Sequence, residues 1–415
     1  MTIRKKKGFN IQPILEKLSE IRKINDDGSV SLSGFGLLDE FESYLTTAVF
    51  AKNQTDSFVR QVVKKAMNTE QEMTEGTFLG HCNSVATDLW NKGRNEFKVV
   101  FPIWGAKNLV DGRRRWGDVS ISFDINQNTV FARRARKERT SQLKKRANSA
   151  TKSVKRIEEL PLCVCSVKAI NIWDAFEKAE TAISKELGLY SIFMSRGKFI
   201  ISQDPDTPIN RILLAPHMTV HSKTGKLSAD VYWYSRWPVH LTEKHVPTTE
   251  LLKRKEQAED IRKCIRRLPW RQQAEQALVR HYSAFSQCDL EASFLDAWRL
   301  LESIAGHPRE KAETLVKRAA WFFEEREFYY QMGLHLMHRR HLISHGRPVR
   351  DNNNESLAFQ MKTFLSPFFH AFLTNPFHFK DLEELWEFCD LPVKKSVRRR
   401  QAYLLECSAK FRQEA

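Results

Sequence analysis

The spacing of the apolar residues limits what this chain can fold into more than any other feature, and it changes twice along the sequence. From about residue 247 to the end, apolar residues recur at three- and four-residue intervals, through segments such as "TTELLKRKEQAEDIRKCIRRL", "EASFLDAWRLLESIAG" and "SLAFQMKTFLSPFFHAFL". That is the period of a helix, so this part reads as all-α. From about 97 to 235 the period is two, with short apolar runs: "FKVVFPIW" (97–104), "GDVSISFDI" (117–125), "LPLCVCSVKAI" (160–170), "GKFIIS" (197–202), "RILLAPHMTVH" (211–221) and "KLSADVYWY" (226–234). These read as strands, and one helix, "IWDAFEKAETAISKELG" (172–188), interrupts them. "NTVF", ahead of the basic segment, is placed to pair with 117–125 as a hairpin. Residues 11–95 read mostly as helices, with a Thr-Asp cap signal opening "TDSFVRQVVKKAM".

The expected fold class is therefore α+β: a mixed α/β region over residues 1–245, then an all-α helical bundle over 250–415. The boundary falls in "YSRWPVHLTEKHVPTTE" (234–250), which has two prolines and no periodicity. A length of 415 residues is too great for one ordinary core and agrees with more than one domain. No apolar run is long enough to span a bilayer, so no transmembrane helix and no membrane partner are expected. The basic start "MTIRKKKGFN" is not followed by an apolar stretch and is not a secretory signal. The seven cysteines are odd in number and scattered, which does not make a disulfide framework, and a reducing cytoplasm is the expected setting. Cys163 and Cys165 in "CVC" share one side of a strand, where they serve either as two small core residues or as a pair of thiols facing a partner.

The net charge of +17 points to a polyanionic partner, with nucleic acid first. More than half of it comes from residues 133–156, "RRARKERTSQLKKRANSATKSVKR", with eleven Lys or Arg and one acid. With so few large apolar residues, this segment is expected to be a solvated loop or a helix exposed all round. Arg133, Arg134, Arg136, Lys137, Lys144, Lys145 and Arg146 are its candidate phosphate-backbone contacts. "GRRRWGD" (112–118) adds three arginines and Trp116, which either stacks on a base or packs in the core.

The densest chemistry lies in "MHRRHLISHG" (337–346). On a helix, His338, His341 and His345 share a face, and His341 and His345 have the four-residue spacing of a two-histidine metal site. There is no glutamate between them, however, and Arg339 and Arg340 would oppose a cation. No metal or other cofactor is expected. A catalytic pair fits better. If the helix ends near "SHG", with Gly346 closing it, Arg340 and His345 can converge on one phosphate. Arginine is a permanently charged, two-pronged phosphate clamp, and histidine can take or give a proton near neutrality. Together they suffice for cleavage of RNA by its own 2′-hydroxyl.

At this point the sequence resembles a family. "RHLISH", Arg340 to His345, resembles the Arg-x4-His motif of the HEPN superfamily, with His341 in the polar slot after the arginine. "SFLDAWRLLESIAG" (293–306) resembles the earlier helix of that family, here with Trp298, Leu301 and Glu302. The variant most suggested is the Apea-like group found at the C-terminus of phage-defence proteins, over about 255–415, and no resemblance covers 1–250. The resemblance implies a HEPN-like bundle with metal-independent endoribonuclease activity and two-fold dimers or higher homo-oligomers. Arg340 would bind the scissile phosphate and His345 would act as general base or acid. His341 would orient or polarise them, and Glu302 would hold Arg340 or His345. It also implies an antiviral, abortive-infection or toxin role, with RNA, tRNA among the candidates, as the partner and a phage or host trigger unspecified. The alternative is a non-catalytic nucleic-acid-binding or regulatory protein that dimerises through its helical domain.

Overall fold

A computed structural model describes residues 2–25, 30–32, 35–52, 54–69, 73–91, 93–105, 112–123, 129–146, 160–196, 207–234, 248–345 and 354–411. The chain is mixed α and β with a helical C-terminal part, in agreement with the α+β expectation. It divides into two compact units that do not follow a single cut. The first comprises 1–102, 111–183 and 215–235; the second comprises 103–110, 184–214 and 236–415. The second unit thus takes in residues 184–214, ahead of the boundary expected from sequence. That expected boundary lies mostly in 235–247, outside the described residues.

The first unit opens with β1 (Ile3–Lys5), α1 (Gln12–Ile21), β2 (Arg22–Ile24), β3 (Val30–Leu32), α2 (Phe35–Ala48), β4 (Val49–Ala51), α3 (Asp56–Ala66) and α4 (Glu75–Asn91). The apolar stripes of these helices meet in one core that includes Leu15, Leu18, Leu45, Phe58, Val62 and Phe78. The Thr55 hydroxyl accepts from Phe58 N at 3.1 Å and caps α3, as the Thr-Asp signal foretells. The short strand pairs β1–β4 and β2–β3 were not legible as strands, because three-residue pieces carry no period.

The remainder of this unit is an antiparallel sheet, formed by β5 (Asn95–Trp104), β6 (Arg113–Trp116), β7 (Val119–Ser122), β8 (Leu162–Ala169) and β10 (Thr219–His221), in the order β10-β5-β8-β7-β6. The two-residue β9 (Leu213–Leu214) pairs with the end of β5, at Ile103 and Trp104. Two helices accompany the sheet: α5 (Val130–Arg146) and α6 (Ile172–Phe193). Val99 and Phe101 on β5 and Cys163 and Cys165 on β8 point to one side of the sheet and are buried there, where Phe101 meets Phe176 of α6. The cysteine pair is therefore core.

Two expectations fail here, and the alternative left open at Trp116 resolves to core. "NTVF" does not form a hairpin with 117–125, because Val130 and Phe131 already open α5 and β7 pairs instead with β6 and β8. "GRRRWGD" makes the tight β6–β7 turn at Gly117, whose φ of 59° suits glycine, and Trp116 is buried, so it offers no face to a base. Residues 226–234 form isolated bridges at Leu227 and Trp233 and no strand. Trp233 stacks on Phe176 with ring centroids 4.1 Å apart, so the period-two signal there reflects ring packing. "GKFIIS" lies outside the described residues.

In the second unit, the part of α6 from Ser184 onward and β9 join a run of helices: α7 (Thr248–Arg267), α8 (Arg271–Phe285), α9 (Leu290–Ala305), α10 (Ala312–Ala320), α11 (Arg326–Ser344), α12 (Asn354–Thr374), α13 (Leu382–Asp390) and α14 (Lys395–Phe411). Helix α9 is central. It packs along α8 and α12 and buries Phe294, Ala297, Trp298, Leu301 and Ile304. Asp289 caps it, its carboxylate accepting from Glu291 N at 2.9 Å and Ala292 N at 3.1 Å. At its other end the Arg318 guanidinium donates to Ala305 O at 2.8 Å and pairs with Asp390 at 2.7 Å. No described helix is long and apolar enough to cross a membrane.

Candidate active site

Helix α11 carries the Arg-x4-His segment. Only Gly333 and Leu336 of this helix are fully buried. Gly333 lets α11 approach its neighbours closely: a Cβ there would lie 2.5 Å from Val316 Cγ1 on α10 and 2.6 Å from Phe364 Cζ on α12. The close approach holds one edge of α11 against the bundle and leaves its final turn open. His338, His341, Ser344 and His345 are exposed, and Arg340 is half-buried.

Arg340 points toward α9. Its Nη2 donates to Glu302 Oε1 at 3.0 Å, and the same oxygen accepts from Trp298 Nε1 at 2.8 Å. Trp298 is buried and sits one turn before Glu302. The indole therefore fixes the carboxylate, and the carboxylate fixes the guanidinium. Both charged side chains remain more than a third exposed, at 37% and 36%, so this ion pair contributes little stability, about 0–1 kcal/mol. Its effect is to orient Arg340.

The two histidines form a second contact. The rings of His341 and His345 lie 4.3 Å apart at 60°. His345 is itself the residue that ends the helix, with its N–H donating to His341 O at 3.2 Å. Gly346, expected to close the helix, lies outside the described residues. Arg340 and Glu302 thus meet, and so do His341 and His345, but no hydrogen bond joins the two pairs among the described residues. His338, His341 and His345 do share the open side of α11. Among the described residues no three His, Cys, Asp or Glu gather in a metal-ligating group.

The basic segment folds in part as α5, but that helix is not exposed all round. Ala132, Ala135, Arg139 and Gln142, at three- and four-residue spacing, are buried on one face. Arg133, Arg134, Lys137, Lys144 and Lys145 are exposed and Arg136 is half-buried, so these candidate contacts stay available. The side chain of Arg146 and residues 147–156 lie outside the described part. Charge density masked the buried face of this helix, and only the alanines at 132 and 135 hint at it.

Sequence reasoning also missed two buried cations without a carboxylate partner. Arg139 lies in the first unit. In the second, Lys362 of α12 donates to Ser191 O at 3.0 Å and Asn210 Oδ1 at 3.2 Å. Nearby, Ser191 Oγ and His281 Nδ1 are 2.9 Å apart. Burial, followed by the Lys362 charge, holds His281 well below the usual histidine range.

No protein-family model matches this chain, and no curated protein or solved structure matches it significantly.

Proposed function

We propose that this chain is a metal-independent endoribonuclease of the HEPN type, with its site at the end of α11 in the helical second unit. The observation that carries this reading is the Trp298–Glu302–Arg340 relay. It aims a guanidinium from α11 by means of a carboxylate on the earlier helix, the pair of helices that the resemblance links. Arg340 binds the scissile phosphate in two-pronged fashion, and a dianionic pentavalent phosphorane competes for it with Glu302. His345 removes the 2′-hydroxyl proton or protonates the leaving 5′-oxygen, and His341, in ring contact with it, orients it. The 2′-oxygen forms its bond to phosphorus as the 5′-oxygen leaves, so the products carry a 2′,3′-cyclic phosphate and a 5′-hydroxyl.

One site supplies one clamp, and two-fold pairing supplies a second set of groups by symmetry. Helix α14 offers a surface for it: none of its residues is buried, and Tyr403, Leu404, Leu405 and Phe411 are exposed. The anti-phage or toxin role rests on the sequence resemblance.

The test is incubation of the purified protein with total RNA in EDTA. Cleavage is expected to persist and to end in cyclic phosphates. Arg340→Ala, His345→Ala and Arg340→Lys should each abolish it, by about 10²–10⁴-fold, and the double alanine variant should match either single one. Binding without cleavage would identify the non-catalytic regulatory protein instead. Full activity of His345→Ala in EDTA would remove the assignment from this motif.

A further inference from the structure

We propose that Arg139, held by Thr219 and His221 between helix α5 and the sheet of the first unit, binds a phosphate monoester. The inference is independent of the ribonuclease reading.

The argument begins with a buried charge. Arg139 is only 4% exposed, yet among the described residues its one hydrogen bond runs from Nη1 to Thr219 Oγ1 at 2.7 Å. A guanidinium carries five N–H donors and stays charged in proteins. Burial, with the neighbouring Arg136 adding to it, pushes this guanidinium down to about 9, still above neutral pH, and no acid acts against that displacement. Its residual exposure means that the residue is not wholly sealed from solvent.

The groups around it do not neutralise it. His221 Nδ1 lies 2.9 Å from Gly225 O, a carbonyl that can only accept, so this nitrogen holds the proton. Nε2 is then an acceptor, and it takes the Thr219 hydroxyl proton at 2.9 Å. The chain therefore runs in one direction, from Arg139 to Thr219 to His221 to Gly225 O, through uncharged groups throughout. Burial holds His221 at about 4, so it remains neutral. The nearby acids are engaged elsewhere: Glu96 pairs with Lys223 at 3.0 Å, and Asp230 accepts from Gln142 at 2.8 Å.

The sheet face beneath α5 is also unusual. In register across four strands stand Ser120, Ser166, Lys98 and His221. Lys98 Nζ lies 4.5 Å from the ring of Phe131 on α5, which meets the His221 ring edge-on. Gly225 lets the turn before β10's partner segment press against α5, since its φ is 86° and a Cβ would lie 2.7 Å from Phe131 O. Hydroxyls and one lysine share this face with the buried Val100 and Val164, and α5 adds the buried Arg139 to it. An unpaired buried cation is costly, and an anion offsets that cost. A guanidinium fork suits a terminal phosphate, with Thr219 and His221 holding it in place, and burial excludes an internal phosphodiester of a duplex. A nucleotide and the phosphorylated end of an RNA share this chemistry.

The test follows the thermal midpoint and binding heat of the full chain with inorganic phosphate, 5′-AMP and adenosine, with ionic strength held by chloride. At a tenfold excess over Kd, phosphate and 5′-AMP should raise Tm by about 2–5 °C, and adenosine should not. Arg139→Gln should weaken binding by about tenfold or more, and Thr219→Val, a milder change, should also weaken it. Lys64→Gln/Lys65→Gln, on the exposed side of α3 in the same unit, should leave it unchanged. A 5′-phosphorylated oligoribonucleotide that binds more tightly than its 5′-hydroxyl twin, dependent on Arg139, would identify an RNA end as the source. A response to 5′-AMP with no such preference would identify a small nucleotide. No response of the wild-type protein to any phosphate overturns the proposal. So does a response that survives in Arg139→Gln and Thr219→Val, or one that is lost in Lys64→Gln/Lys65→Gln, since the anion is then held by surface charge and not by Arg139.

Discussion

Replacing Lys362 by methionine should change how the stability of the helical unit depends on pH. Lys362 is 6% exposed, and its ammonium lies 4.8 Å from the ring of Phe285. Burial pushes it from 10.5 down to about 7. Between those values the unfolded chain holds a proton on this lysine that the folded chain releases, so stability rises with pH across the window. Below about pH 7 both states are protonated and the penalty is constant. At about 1.4 kcal/mol per pH unit, the whole window corresponds to roughly 5 kcal/mol as an upper bound, and pH 7 to 9 to about 2–3 kcal/mol. Methionine keeps most of the volume and has no proton to lose. It also leaves Ser191 O and Asn210 Oδ1 without this donor, at about 1–3 kcal/mol, an offset that does not vary with pH. Urea unfolding of both proteins at pH 6, 7, 8 and 9 reads the difference. The wild-type protein should gain on Lys362→Met by about 2–3 kcal/mol from pH 7 to 9 and by little from pH 6 to 7. Parallel profiles throughout would show that Lys362 keeps its proton in the folded state, and the reasoning from burial would fail.

Glu302→Gln should leave Trp298 its acceptor and release Arg340; unfolding should shift by less than about 1 kcal/mol, while RNA cleavage should fall by about tenfold or more, read as kcat against KM. Gly333→Ala should lower Tm in spite of alanine's better helix propensity, because the new Cβ meets the buried Val316 and Phe364, an overpacking of about 1–3 kcal/mol. RNA affinity should fall with salt at a log–log slope of about −3.5 to −4.5 if about five phosphates are contacted, and Gln at Arg133, Arg134, Lys137, Lys144 and Lys145 should flatten it; an unchanged slope would make α5 a bystander.

The sequence by itself determined the helical second half and most of the sheet, because long apolar stripes and alternating runs leave little choice of period. Helices α7 to α14 and strands β5, β7 and β8 follow directly from it. It also marked Arg340, His341 and His345 as one cluster, since residues this close on a helix cannot be far apart. Only the tertiary structure decided that Glu302, 38 positions earlier, meets Arg340, and that Trp298 holds Glu302 in place. Such a contact depends on how α9 and α11 pack, and the bare Gly333 that allows the packing carries no signal of its own. The structure likewise decided that Phe131 opens a helix where a hairpin seemed available, and that Arg139 turns inward among arginines and lysines that face solvent. Period reports which face of an element is apolar. A charged residue on a buried face breaks that pattern, so Arg139 and Lys362 became visible only once the elements that enclose them were in place.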